Sequence, residues 1–263
     1  MAPDLPEPCG IPCMDALREA WQEIRDEALC AREQSPLLNV QRSRDWDENC
    51  NIELPRDGWV RAWRPDSGEA HNQWLNFGLF VGGESVPSNR DLCPKTMALL
   101  SDIPGLNVAG FSWLLPGGVI TPHTDWNPGT RTWHLGLSVP TAPIGSNMLC
   151  VKNEIHTTFL EETRANPLLQ ASADGNSFIE SQGNAELQPE QLVLDKDRDL
   201  RVKLTDCTFF EEADGKLLNF DDGKEHFAFN HSAHDRIILY LNIDYFKPSH
   251  FCLSHPTHAV SST

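Results

Sequence analysis

The stretch Val108-Ala-Gly-Phe-Ser-Trp-Leu-Leu-Pro-Gly-Gly-Val-Ile-Thr-Pro-His-Thr-Asp125, followed shortly by Arg131-Thr-Trp-His-Leu-Gly-Leu-Ser-Val139, decides the fold class. The first half reads as a strand from about Val108 to Leu115, ended by Pro116-Gly117-Gly118. In the second half Trp133, Leu135, Leu137 and Val139 alternate with Thr132, His134, Gly136 and Ser138. That is a period of two, with one apolar face and one small or polar face. A third strand is expected from Arg236 to Phe246. There Ile237, Leu239, Leu241 and Ile243 face one way, and Arg236, Ile238, Tyr240, Asn242 and Asp244 the other. Short strands punctuated by Gly and Pro favour a sandwich or jelly roll.

Working outward, Trp74-Leu-Asn-Phe-Gly-Leu-Phe80 reads as a further strand and Trp59-Val-Arg-Ala-Trp63 as a short extended piece. Cys93 to Leu100 reads as a short helix with Pro in its first turn. From Met14 to Gln34, Leu17, Trp21, Ile24 and Ala28 recur at helical steps, with Asp15 near the start where the helix dipole favours an anion. This predicts an amphipathic helix packed on a sheet. Residues 1–12 are Pro-rich and expected to be disordered. Residues 13–248 are expected to form a single domain, interrupted by an insertion from about 145 to 199 that is either a lid over the site or a mobile surface excursion. The tail 249–263, with His250, His255 and His258, is expected to fray.

The formal charge of -17 argues against general binding of nucleic acid or of anionic membranes, since both would repel it. No apolar run reaches the roughly 18 residues of a membrane span, and the N-terminus has no basic region followed by an apolar core. Eight scattered Cys, with Cys9 and Cys13 the only close pair, fit no common zinc pattern. Free thiols in a cytoplasmic setting are the expectation.

His123 and Asp125 stand two residues apart, and a further ligand candidate ends Phe220-Asp-Asp-Gly-Lys-Glu-His226. Two imidazoles and a carboxylate on one face of a metal, with open positions opposite, suit Fe(II) with an organic chelate and O2. The same donors suit zinc. The residue types therefore leave an oxygenase, a zinc-dependent hydrolase and a non-catalytic jelly-roll module binding a metal or small acid all open. Arg236 opens an apolar strand: either it is a surface Arg at the strand end, or it is buried and requires a partner. A ligand carboxylate would serve, as would Asp244 or another internal acid. His134 has Thr132, Gly136 and Ser138 on its face, small neighbours that leave room for a ligand; alone it would be a hydrogen-bonded core residue, and Ser112 an ordinary strand serine.

The chain resembles the aspartyl/asparaginyl β-hydroxylase family of Fe(II)/2-oxoglutarate oxygenases. The resemblance runs from about Trp74 to Pro248 outside the insertion. It is carried by Trp74-x-x-Phe77-x-Leu79, Cys93-Pro-Lys-Thr96, Ser112-x-x-x-Pro-Gly117, Pro122-His-Thr124, His134-Leu-Gly-Leu137, Phe220-Asp-Asp222, Glu225-His226 and Arg236. It implies a mainly β fold: a double-stranded β-helix (jelly-roll, cupin-like) core with flanking N-terminal helices. It implies that His123 and His226 hold Fe(II), that Ser112, His134 and Arg236 contact 2-oxoglutarate, and that Trp74 and Asn76 border the substrate. The activity implied is oxidation of an aliphatic C–H of an amino acid or derivative, by hydroxylation, cyclisation or desaturation, with succinate and CO2 released.

Three departures from the family pattern stand out. The family's animal hydroxylase has Gly where this chain has Asp125; an acid there restores a third ligand and disfavours halogenation. An Arg expected two residues before His134 is replaced by Thr132, with Arg131 one residue early and, on a regular strand, facing the other way unless a bulge re-aims it. The insertion is foreign to the animal enzyme, whose membrane anchor and helical repeats are also missing from this sequence, so a small-molecule substrate is expected rather than a lumenal EGF-type protein.

Overall fold

A computed structural model describes residues 12–38, 58–63, 70–125, 130–142, 145–154, 191–195, 200–203 and 206–244. The chain opens with helices α1 (Pro12–Glu19) and α2 (Trp21–Gln34), then strands β1 (Leu37–Leu38), β2 (Trp59–Trp63), β3 (Ala70–Val81) and β4 (Glu84–Ser85). Helices α3 (Pro87–Arg90) and α4 (Pro94–Ser101) lead into β5 (Leu106–Leu114), β6 (Gly118–His123), β7 (Thr130–Ser138) and β8 (Asn147–Lys152). A hairpin, β9 (Gln191–Asp195) and β10 (Leu200–Lys203), precedes β11 (Cys207–Phe210), β12 (Leu217–Phe220), β13 (His226–Asn230) and β14 (Arg236–Asp244).

The molecule is mainly β, with α1 and α2 at its N-terminal end and α3 and α4 between β4 and β5. The larger sheet has the order β1-β2-β3-β5-β14-β7-β12, with β4 beside β3; the smaller runs β11-β8-β13-β6. Alternation sorts each strand into two faces. Trp133, Leu135 and Leu137 of β7, Ile237, Leu239, Leu241 and Ile243 of β14, and Phe111 of β5 are buried in one cluster with Leu17, Ile24 and Ala28 of the helices. The apolar sides of β7 and β14 thus face the helices, and both strands carry their polar sides inward. Leu114, Ile120, Leu149, Val151, Phe220 and Ala228, drawn from both sheets, form a second cluster between them.

The helical region is two helices rather than one. Its hydrogen bonding runs through Ala20, whose φ/ψ of -91°/10° leaves the helical basin and turns the chain. Helix α4 lacks a cap of its own; Glu27 on α2 supplies one, accepting from the backbone N–H groups of Lys95 and Thr96 and from the Thr96 hydroxyl. That contact ties the Cys93-Pro-Lys-Thr96 motif to the helical layer.

The 145–199 stretch is not uniformly an insertion. Asn147 to Lys152 form β8, an interior strand of the smaller sheet paired to both β11 and β13. Periodicity hid it because Asn147 and Lys152 are buried polar residues at the strand ends. At the far end of the stretch, Leu192 and Leu194 of β9, with Val202 of β10, pack on Val119, Cys150, Phe227 and Phe229. That is the outer face of the smaller sheet, away from the space between the sheets. Residues 155–190 lie outside the described residues, as do residues 1–11, Cys9 and the 249–263 tail with its histidines.

Candidate active site

His123 ends β6 and His226 begins β13, and the two are paired across the strands. Plain alternation would set His123 on the face opposite Ile120. The register prevents this: His226 to Ala228 is two steps on β13, while their partners His123 and Ile120 are three apart on β6. The extra residue is a β-bulge at Thr121-Pro122, and it turns His123 to the inner face. Pro122 is suited to that position, since a bulge excuses one residue from the ladder. The two imidazole centroids consequently lie 4.3 Å apart.

Each ring is oriented by its own backbone. His123 Nδ1 lies 2.7 Å from the Thr121 carbonyl oxygen and His226 Nδ1 lies 2.9 Å from that of Lys224. A carbonyl can only accept, so Nδ1 carries the hydrogen and Nε2 presents a lone pair, the form that binds metal. Burial, and then the charge His123 would carry, push His226 down to about 4, so its ring is neutral at pH 7. Asp125 is set in place by its backbone N–H, which donates to the Asp222 carbonyl at 2.9 Å; its Oδ1 is 3.8 Å from His123 Nε2. One ligand atom from each of His123, Asp125 and His226 can be chosen so that all three lie within 4.8 Å of one another. Two imidazole nitrogens and one carboxylate fit a divalent ion.

Behind this triad, the ring of Phe220 stands between His226, at 5.2 Å, and His134, at 5.1 Å. His134 belongs to a buried network that the sequence did not reveal. Arg236 is fully buried, and its Nε and Nη2 donate to the two carboxylate oxygens of Glu212 at 2.5 and 2.6 Å. His134 Nδ1 is 3.0 Å from Glu212 Oε1. Of the partners open to Arg236, the internal acid is what this structure pairs with it, and that acid is Glu212, not Asp244. Burial pushes the Glu212 carboxyl up, but the Arg236 charge, with hydrogen bonds from His134 and Arg236, outweighs it and holds the group at about 2. Burial pushes His134 down, partly offset by Glu212. Among the described residues Arg236 Nη1 has no partner, and it is buried. An orphaned charged donor inside a protein is costly, and an anionic ligand would satisfy it.

Ser112 on β5 is cross-paired with Asn76 on β3 and Ile238 on β14. Its hydroxyl oxygen accepts from Trp74 Nε1 at 2.9 Å. Trp74 and Asn76 are half-buried, and Trp74 packs against the cluster between the sheets. The sequence candidates therefore share one region, with the candidate metal ligands His123 and His226 on the smaller sheet, Asp125 just beyond β6, and Ser112, His134, Arg236, Trp74 and Asn76 on the larger.

Arg131 does not join them. The pairing of β7 with β14 is regular from Leu135 to Thr130, its one irregularity lying at Ile237/Ile238. Arg131 accordingly points away from the His134 face, and its guanidinium lies 3.9 Å from Asp221 at a partly exposed position. Thr132 takes the inner place and donates to Asp222 Oδ2 at 2.8 Å. Asn242 Nδ2 also donates to that oxygen, at 2.9 Å, while Asp222 Oδ1 is buried with no partner among the described residues. Burial, then the nearby charges of Asp125 and Asp221, push Asp222 up to about 6. Tyr240 completes this corner, its hydroxyl 3.4 Å from Thr132 Oγ1 and its ring 5.8 Å from His134.

Residues 18–162, more than half of the chain, match the family model described as aspartyl/asparaginyl beta-hydroxylase. An ornithine lipid ester-linked acyl 2-hydroxylase of Rhizobium tropici is 27% identical over 176 residues, which are 67% of this chain and 42% of that protein. An aspartate beta-hydroxylase domain-containing protein 2 of Xenopus tropicalis is 40% identical over 96 residues, 34% of this chain and 24% of that one. The matched region thus spans less than half the length of either relative. Among solved structures, an oxidoreductase of the 2OG-Fe(II) oxygenase family from Burkholderia pseudomallei superposes with a TM-score of 0.39 at 11% identity, covering 66% of this chain and 70% of that one.

Proposed function

The chain belongs to the aspartyl/asparaginyl β-hydroxylase family; from that premise we propose that it is an Fe(II)/2-oxoglutarate-dependent oxygenase that oxidises an aliphatic C–H of an amino acid or an amino-acid-derived small molecule. The convergence of His123, Asp125 and His226, one ligand atom from each within 4.8 Å of the others, carries the reading. We read the two facing sheets as the halves of a double-stranded β-helix with this triad between them. Bound Fe(II) with 2-oxoglutarate and O2 would supply the oxidising power, and succinate and CO2 would leave.

The residues divide that work. His123 and His226 would hold the ion through Nε2 and Asp125 through a carboxylate oxygen. Asp125 would offset one of the two charges of a divalent ion. Arg236 Nη1 and the Ser112 hydroxyl would hold the distal carboxylate of 2-oxoglutarate, with His134 steadying its metal end. Trp74 and Asn76, beside Ser112 on the larger sheet, would border the substrate.

Hydroxylation adds one oxygen to the substrate; cyclisation or desaturation removes two hydrogens. Mass spectrometry of anaerobically loaded enzyme, exposed to O2 with 2-oxoglutarate across free amino acids, their N-acyl derivatives and ornithine-derived lipids, reads succinate and product mass together. The lipids belong in the panel because the Rhizobium tropici relative is named for one. Coupled succinate and an oxidised amino-acid product are expected. Succinate coupled only to an acyl chain would move the substrate class, and O2-independent turnover would overturn the reading.

A further inference from the structure

We infer that Glu212 is a positioning residue for the cosubstrate: one buried carboxylate that fixes the reach of Arg236 and the orientation of His134 together. This rests on the reading of Arg236 and His134 as 2-oxoglutarate contacts.

The segment carrying Glu212 is built onto the larger sheet. It follows β11 and docks against Gly136: Gly136 N–H donates to the Lys216 carbonyl at 3.0 Å and Gly215 N–H to the Gly136 carbonyl at 2.9 Å. Asp214 accepts from the Val139 N–H at 2.7 Å. A Cβ at position 136 would collide with the Ala213 carbonyl, so only Gly lets this segment lie so close. Glu212 enters the interior from that clamp, with its side chain 2% exposed.

Its three hydrogen bonds leave defined groups over. The carboxylate takes the Nε/Nη2 edge of Arg236, so the unpartnered Nη1 is the donor presented to a ligand. On His134 it takes Nδ1, which puts Nε2 on the ring's far edge. A neutral ring there, the form that burial favours, offers a lone pair; a second proton on Nε2 would make it a donor to a carboxylate, and the adjacent Glu212 charge offsets part of what burial costs that proton. A long flexible Arg held by a bidentate partner loses the freedom that ligand binding would otherwise have to remove. Glu212 therefore acts through two other side chains and has no claim to be catalytic.

The test is calorimetric titration of 2-oxoglutarate into Mn(II)-loaded protein, with Mn(II) affinity measured separately. Glu212→Gln keeps the shape and removes the charge. It is expected to weaken 2-oxoglutarate binding roughly tenfold or more, the loss of a charge-assisted hydrogen bond, with Mn(II) affinity unchanged. If that variant does not fold, the double variant Glu212→Gln, Arg236→Met removes both charges. It is expected to lose far less than tenfold relative to Arg236→Met alone, only the His134 share remaining, because the part of Glu212's effect that acts through Arg236 is already gone. Equal or tighter binding by Glu212→Gln, with Arg236→Met still weakened, would overturn the inference and mark Glu212 as a competitor for the guanidinium. Failure of the wild-type protein to take up 2-oxoglutarate would instead overturn the cosubstrate reading.

Discussion

His123 and His226 are cross-strand partners whose rings lie 4.3 Å apart although 103 positions separate them in the chain. A single extra residue in β6 brings this about, because it reverses the face to which His123 belongs. Deleting Thr121 should restore plain alternation and turn His123 outward, toward Val119, Phe227 and Phe229. Loss of Mn(II) binding with the fold retained by circular dichroism is the expected outcome. Pro122→Ala, which keeps the residue count, should retain binding. Metal binding by a folded deletion variant would show that the bulge is dispensable.

Asp125 is the position where this chain adds an acid to a site with two imidazoles. Asp125→Ala should cost no less than the roughly 10–100-fold in metal affinity that loss of an outer-shell partner costs. Electron paramagnetic resonance of Mn(II) titrations measures this directly. Unchanged affinity and turnover would mean that the two histidines suffice.

The Glu212 carboxyl is held below its ordinary value, at about 2. Its contribution to stability is complete above roughly pH 4.5 and is lost as the pH falls toward 2. The stability difference between wild type and Glu212→Gln should therefore narrow across that window, by at most about 3 kcal/mol. Urea unfolding at a series of pH values reads it. A difference that stays constant would show that Arg236 does not hold Glu212 ionised.

Arg131 faces away from His134, toward Asp221. Arg131→Gln should leave the KM for 2-oxoglutarate unchanged, since an exposed ion pair of this kind is worth little. A marked rise in that KM alone would place Arg131 in the cosubstrate site after all.

Gly136→Ala places a methyl against the Ala213 carbonyl. Overpacking of this kind costs roughly 1–3 kcal/mol, and thermal unfolding should register it. An unchanged Tm would mean that the Glu212 segment yields easily.

The sequence by itself determined the strands β3, β5, β7 and β14, and for β7 and β14 the assignment of their faces, because alternation is a local property set by the pleat. It also supplied the three candidate metal-ligating residues and the family. It did not locate β8, whose buried polar ends break the apolar pattern, nor the turn at Ala20 that makes two helices of one. What only the tertiary structure decided is which side chains meet. His123 reaches the inner face through a bulge whose effect depends on pairing with β13, and Arg131 stays outside because β7 is regular at that point. Among 38 acidic residues, nothing local marks Glu212 as the partner of Arg236. A buried guanidinium demands a carboxylate, but which one arrives is fixed by a segment docked on Gly136, a contact between residues far apart in the chain.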